Sequence, residues 1–140
     1  MFLDAKNEFS TAQTIATAVS TNVIDLTPLK AAARDIGVGQ PIYLVLTTPA
    51  ALAGTSPTLT VALQTDDNAA FSTPATLFTS AALAPADFAK GPIVIPLPSG
   101  AEKYLRLSYT AGGTVTAGTV TAGLTLDAQR WKAYPRNYVA

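Results

Sequence analysis

PTLTVALQT, residues 57–65, places Leu59, Val61 and Leu63 on one side and Thr58, Thr60, Ala62 and Gln64 on the other. A period of two with β-branched residues on the polar side marks a half-buried strand. The same signature recurs in KYLRLSYT, residues 103–110, where Leu105, Leu107 and Tyr109 alternate with Tyr104, Arg106 and Ser108. It recurs again in GTVTAGLTLDA, residues 118–128, with Val120, Ala122, Leu124 and Leu126 on the apolar side.

Working outward, PIYLVLTT, residues 41–48, is apolar on both faces and reads as a strand buried on both sides or lying at a subunit contact. GPIVIPLPSG, residues 91–100, is extended too. Pro92, Pro96 and Pro98 cannot donate ladder hydrogen bonds, so it belongs at a sheet edge or beside a bulge. QTIATAVSTNVIDL suggests strands over 14–19 and 22–26, and ATLFTS another over 75–80. One short helix is expected near 28–36, with Thr27 as cap, Pro28 at its first position and Gly37 at its end. A weaker helical stretch is PADF, residues 85–88. The tandem repeat TVTAGTVTAG, residues 114–123, has too few copies for a solenoid and reads as a loop running into the last strand. About eight short strands separated by Gly, Pro, Asn and Ser predict an all-β, antiparallel β-sandwich of jelly-roll type. It is expected to occupy residues 13–128, between an N-terminal arm, 1–12, and a C-terminal tail, 129–140.

Composition narrows the chemistry. The 140 residues suit one domain. Charged residues make up 13%, about half the usual share, and nine basic residues balance nine acidic ones. A neutral surface does not attract polyanions and resists association weakly, as suits a protein packed against something. The chain has no cysteine and no histidine, which removes disulfides, zinc–thiolate sites, thiol catalysis and Ser-His-Asp triads. No SxxK, GxSxG, P-loop or Rossmann spacing occurs. No apolar run is long enough to span a bilayer, and MFLDAKNEF does not read as a secretory signal. The expectation is a protein that is not an enzyme, with no cofactor, metal, membrane or nucleic acid.

Three stretches could contradict this. Asp66, Asp67 and Asn68 follow the strand at 57–65 directly. Neighbouring carboxylates on a strand face opposite ways, whereas glycosidase pairs face one substrate at about 5–9.5 Å. The stretch also lacks the alternating oxygen ligands and glycine of a calcium loop. Asp and Asn bond their own backbone and reverse the chain, so these three read as a structural turn that lets Phe71 fold back onto the core. The tail QRWKAYPRNYVA alternates Arg130, Lys132 and Arg136 with Trp131, Tyr134 and Tyr138. Such interleaving can bind single strands, but three cations in a neutral chain are a weak footprint. An interface, or packing onto the protein's own sandwich, explains it better, with Trp131 as anchor. The arm carries Phe2, Leu3 and Phe9, which are costly on a loose end and are expected to dock on a partner subunit or on the protein's own core.

In order along the chain, MFLDAKNEFSTAQTI, TAVSTNVIDL, ARDIGVGQPIYLVL, LTVALQTDDNAAFSTP, EKYLRLSYT, TVTAGLTLDAQ and the AYP of the tail together resemble the tailed-phage capsid cement (decoration) proteins. The resemblance implies a jelly-roll-like domain on the outer surface of an icosahedral head, assembled in the host cytoplasm. It implies binding to the major capsid protein where its subunits meet, as a homo-oligomer, with a dimer favoured over a trimer. The family has no catalytic residues to carry over. The alternative is a β-sandwich module for carbohydrate or another cell-surface receptor, although few aromatics are spare as sugar platforms.

Overall fold

The computed structural model describes residues 4–27, 36 and 39–128. A 3-10 turn, Ala5–Asn7, precedes β1 (Glu8–Thr14), β2 (Ala18–Val19), β3 (Ile24–Asp25), β4 (Tyr43–Thr47), β5 (Ala53–Asp66) and β6 (Ala75–Thr79). Helix α1 (Pro85–Ala89), β7 (Ile93–Pro96), β8 (Tyr104–Ala117) and β9 (Thr119–Thr125) complete the order. The helix expected near 28–36 lies outside the described residues, except for Ile36. No helix among the described residues is long and apolar enough to cross a membrane.

The strands form two antiparallel sheets, β1-β9-β4-β7 and β2-β8-β5-β6, with β3 also on β8. β2 and β3 are two halves of one edge strand. They are separated by a bulge at which the Ser20 N–H donates to the Leu107 carbonyl (2.8 Å) and the Leu107 N–H donates to Ser20 Oγ (3.1 Å). Counted as one, they make eight strands in the orders 1-8-3-6 and 2-7-4-5. This is a single antiparallel ribbon, doubled back at the β5–β6 hairpin, that has been rolled so that β4 meets β9 and β5 meets β8. The architecture is the jelly roll that the strand pattern predicted.

The alternations set the two inner faces. Leu59, Val61 and Leu63 of β5 and Leu105, Leu107 and Tyr109 of β8 are buried, and Leu44 and Leu46 of β4 meet Val120, Ala122 and Leu124 of β9 in the same core. Leu126, expected to share that face, is 58% exposed, because β9 ends at Thr125. β4 is buried on both faces, as its double apolar pattern requires, and proline-rich β7 lies at a sheet edge. α1 forms where PADF suggested a helix, with the Asp87 carboxylate accepting from the Ala84 N–H at 3.0 Å.

Two expectations need correction. The repeat at 114–123 is not a loop. Its first copy continues β8 and its second opens β9, with Gly118 at the corner between the sheets. Thr and Val are strand formers, and two copies turned at a glycine pack better as paired strands than as an unpaired run. The arm boundary at residue 12 is also too late. β1 begins at Glu8 and pairs with β9, so the sandwich starts inside the segment read as an arm.

Past Leu59, β5 and β8 run on as a two-stranded ribbon that bends toward the first sheet through register shifts between Ala53 and Gly54 and between Thr55 and Thr58. Gly113 sits in this bend at φ +68, where a Cβ would collide with the carbonyl oxygens of Thr55 and Ser56. Replacement of Gly113 by valine should therefore lower stability by about 2 kcal/mol or more, read as a lower urea midpoint. A midpoint equal to the parent's would show that the bend does not need glycine.

Every buried side-chain polar atom among the described residues has a hydrogen-bond partner. Among these groups is the Tyr109 hydroxyl, 2.8 Å from Ser10 Oγ, which in turn donates to Gln13 Oε1 at 2.7 Å. Burial pushes the Tyr109 phenol up to about 12, with the Ser10 hydrogen bond pulling the other way. The folded state holds this proton more tightly than the unfolded chain. Its contribution is therefore intact below pH about 10 and lost as pH rises toward 12, by up to about 3 kcal/mol. The parent should lose urea stability over this window, and Tyr109→Phe should lose measurably less. Parallel losses would place the alkaline sensitivity elsewhere.

Candidate interaction surface

The two ends of the roll differ in chemistry. Register places Glu8, Thr125, Tyr43 and Pro96 at one end of the first sheet, and Asp25, Tyr104, Asp66 and Ala75 at one end of the second. The 3-10 turn touches both β3 and β9, so these ends form one pole. We call it the turn pole, because it carries the β5–β6 connection. The ribbon pole lies opposite, where β5 and β8 bend over.

Charge collects at the turn pole. Asp4, Glu8, Asp25, Asp66, Asp67, Glu102 and Asp127 lie there with Lys6, Lys103 and Arg106. The other described charges are Asp87 and Lys90 at α1, which pair with each other at 3.2 Å. The ribbon pole has none: residues 42–63 and 107–126 contain no Asp, Glu, Lys or Arg. Its exposed positions include Thr55, Ser56, Thr114, Thr116 and Ala117, with Ala16 and Thr17 of the β1–β2 connection beside them.

At the turn pole, Asp66 is 1% exposed while Asp67 is open to solvent. One Asp66 oxygen accepts from the Asn68 N–H and the other from the Thr73 N–H, each at 2.9 Å. Asn68 Oδ1 accepts from the Ala70 N–H at 2.9 Å, its Nδ2 donates to Ser72 Oγ at 3.2 Å, and its carbonyl accepts from the Phe71 N–H at 3.0 Å. Both residues are thus committed to their own loop, which is the turn that sequence indicated. Phe71 is buried, as expected, but beneath the Arg106 guanidinium, 4.3 Å from its ring, and outside the main core cluster. Gln64 Oε1 accepts from Arg106 Nε at 2.9 Å and holds it there. No group of three or more carboxylates converges as metal ligands do among the described residues.

Phe9 requires a correction. Glu8 pairs with Gly123 and Ser10 with Ala122, so Phe9 is the extra residue of a bulge, and both Phe9 and Ser10 are buried inside. Phe9 anchors the protein's own core and is not a partner contact. Phe2, Leu3, Arg130, Trp131, Tyr134, Arg136 and Tyr138 lie outside the described residues.

Sequence reasoning missed Gln13. Its Nε2 donates to the Val19 carbonyl at 2.8 Å and its Oε1 accepts from the Thr21 N–H at 3.0 Å. The side-chain amide thereby substitutes for a strand at the open edge of β2. The Asn22 N–H donates to the Phe9 carbonyl at 2.9 Å beside it, and together these bonds close one seam between the sheets. No local pattern announces this, since it depends on two bulges meeting. The charge-free ribbon, by contrast, has a local signal that the sequence reading passed over, the uncharged runs 42–63 and 107–126.

The Asn68 N–H, opposed by burial and aided by the Thr73 N–H, holds the Asp66 carboxyl below the ordinary carboxylate range. A depressed folded-state pKa gives stability that is present above the ordinary value and lost as pH falls through the depressed one. Asp66→Asn should lower the urea midpoint at pH 7 and flatten its fall in acid, because an amide cannot accept both N–H groups. Asp67→Asn should change neither. The reverse ranking would show that Asp66 does not hold the turn.

None of the curated proteins compared matches the chain. The model of the Bbp16 family matches residues 9–124, from the bulge residue of β1 to the last core leucine of β9, and so spans the whole jelly roll. The chain belongs to the Bbp16 family.

Proposed function

We propose that this protein is a capsid cement subunit, a non-enzymatic structural protein of a phage particle. In this reading it binds the outer surface of an icosahedral head as a homo-oligomer, with a dimer favoured. It stabilises contacts between major capsid subunits and joins the particle in the host cytoplasm. The observation that carries the reading is the division of the surface: a charged pole opposite a pole of Thr, Ala, Ser and Gly without a formal charge. Interface cores are depleted in charged residues, and a neutral ribbon avoids the cost of desolvating ions. The ordered likeness to cement proteins and the jelly roll support the same reading.

The physical task is to add contact area across seams of the shell. Apolar burial contributes roughly 25 cal/mol per Å², of which little survives as affinity after ordering and desolvation. Two linked subunits make the second attachment intramolecular and raise avidity by roughly 10²–10⁴-fold. An oligomer seated across a seam therefore resists its opening, because both attachments must release together.

The test is co-sedimentation of the purified protein with expanded, cement-free heads of its own phage, beside unexpanded shells. Saturable binding to expanded heads, with greater resistance to heat, is the expected result. A Thr114→Lys, Thr116→Lys variant should keep its far-UV circular dichroism and lose binding, while Asp67→Asn should bind as the parent does. Binding to neither shell would end the proposal. Full binding by the lysine variant would remove the ribbon from the contact.

A further inference from the structure

Strand alternation turns Tyr104, Arg106 and Ser108 of β8 to the outer face of the second sheet, because Leu105, Leu107 and Tyr109 face the core. On that face Arg106 is held from two sides. Gln64 Oε1 accepts from its Nε at 2.9 Å, and the Phe71 ring lies under the guanidinium, 4.3 Å away. Phe71 adopts φ +50, a left-handed conformation that is an outlier for a bulky side chain, and it is buried outside the core cluster. Such strain persists only where surrounding contacts impose it, and it gathers at working sites. Here it places a ring beneath one cation. Among the described residues no acceptor pairs with the Nη groups, and no carboxylate forms an ion pair with Arg106. Asp66, next along the same face of the ladder, has both oxygens committed to its own loop. The face also carries exposed aliphatic surface. Val19, 45% exposed, pairs with Ser108. Val23, 43% exposed, precedes Ile24, which pairs with Leu105, and so comes level with Arg106.

We propose that this outer face is a second docking surface, on which the Arg106 fork takes a carboxylate of the shell protein while Val19 and Val23 exclude water beside it. The inference rests on the cement role proposed above and adds a contact apart from the ribbon. A guanidinium presents parallel N–H groups that match a carboxylate in bidentate fashion. Stacking on Phe71 and the Gln64 bond fix the side chain beforehand, so binding it costs little further rotamer entropy. Arginine and tyrosine framed by apolar surface are the residues that anchor protein interfaces. Charge selects the ligand. Asp25, Asp66 and Asp67 lie at the same pole and repel an extended polyanion, so the fit is to an isolated carboxylate rather than to a phosphate backbone.

The test is co-sedimentation with expanded, cement-free heads, with the urea midpoint of each variant measured alongside. Arg106→Lys keeps the charge, removes the fork and should weaken binding roughly ten-fold or more. Val23→Ser leaves Arg106 and its supports in place and should weaken binding several-fold. Because Val23 is exposed, this variant reads the face even where Arg106→Lys lowers the midpoint. Lys90→Gln, which removes an exposed cation at α1, should bind as the parent does. Binding equal to the parent's by both Arg106→Lys and Val23→Ser overturns the inference and leaves the cement role standing. Equal losses in Lys90→Gln and Arg106→Lys reduce the effect to general charge and overturn it as well. Absence of binding by the parent removes the cement role and the inference with it. A free-protein dimer that Val23→Ser converts to monomer in sedimentation velocity gives the face to a second copy instead. Binding of a labelled single-stranded oligonucleotide by the parent, weakened in Arg106→Lys, gives the fork to phosphate. Either of these last results also overturns the proposal.

Discussion

The pairing of β5 with β8 is the constraint on which the rest of the molecule depends. Each strand is fourteen residues long, and their register runs from Ala53 opposite Ala117 to Asp66 opposite Tyr104. This ladder does three things at once. It faces Leu59, Val61 and Leu63 alongside Leu105, Leu107 and Tyr109 to make half of the core. It fixes the turn pole, because β5 ends level with Tyr104 and the turn held by Asp66 follows there. It also projects the ribbon that carries the chain from the second sheet to the first at Gly118. Contacts between residues so distant in sequence close large loops at an entropic cost, which only the buried apolar pairs along the ladder can offset.

Scarcity of charge shapes the remaining choices. Sheet proteins guard their edges with charged side chains, prolines, bulges, short strands or covering loops. Here the guards are neutral. Pro92 and Pro96 remove donors from the β7 edge, a register shift interrupts β6 next to Leu63, and Pro57 with the bulges of the ribbon breaks the outer side of β5. At β2 the guard is the Gln13 amide, which occupies the backbone groups that another strand would need. Such edges stop uncontrolled strand pairing while leaving a surface that can be dried at low electrostatic cost. That combination suits a subunit that must stay discrete until it meets one defined surface.

The same economy governs the interior. Tyr109, Ser10 and Gln13 form a chain of hydrogen bonds from the core of the second sheet to the seam of the first. It joins the two sheets through polar atoms, beside the Gln13 and Asn22 hydrogen bonds of the seam. Its buried end specifies how the sheets are set against one another, because any other setting would leave the Tyr109 phenol or the Ser10 hydroxyl unpaired.

The sequence by itself determined what local periodicity can carry. Alternation in 57–65, 103–110 and 118–128 named the inner faces of β5, β8 and β9 except at Leu126, the prolines of 91–100 put β7 at an edge, and Asp66-Asp67-Asn68 announced a turn. Side-chain direction on a strand and the backbone preferences of Asp, Asn and Pro are properties of a few neighbouring residues, so they survive reading in isolation. Only the tertiary structure decided the rest. Phe9 became core because a bulge against β9 turned it inward, the Thr-Val repeat became two strands because Gly118 lets the chain change sheets, and Gln13 became the clip of a seam because β1 and β2 meet there. Each of these outcomes depends on partners far away in the chain, and pairing between distant strands is a global free-energy choice that no local pattern records.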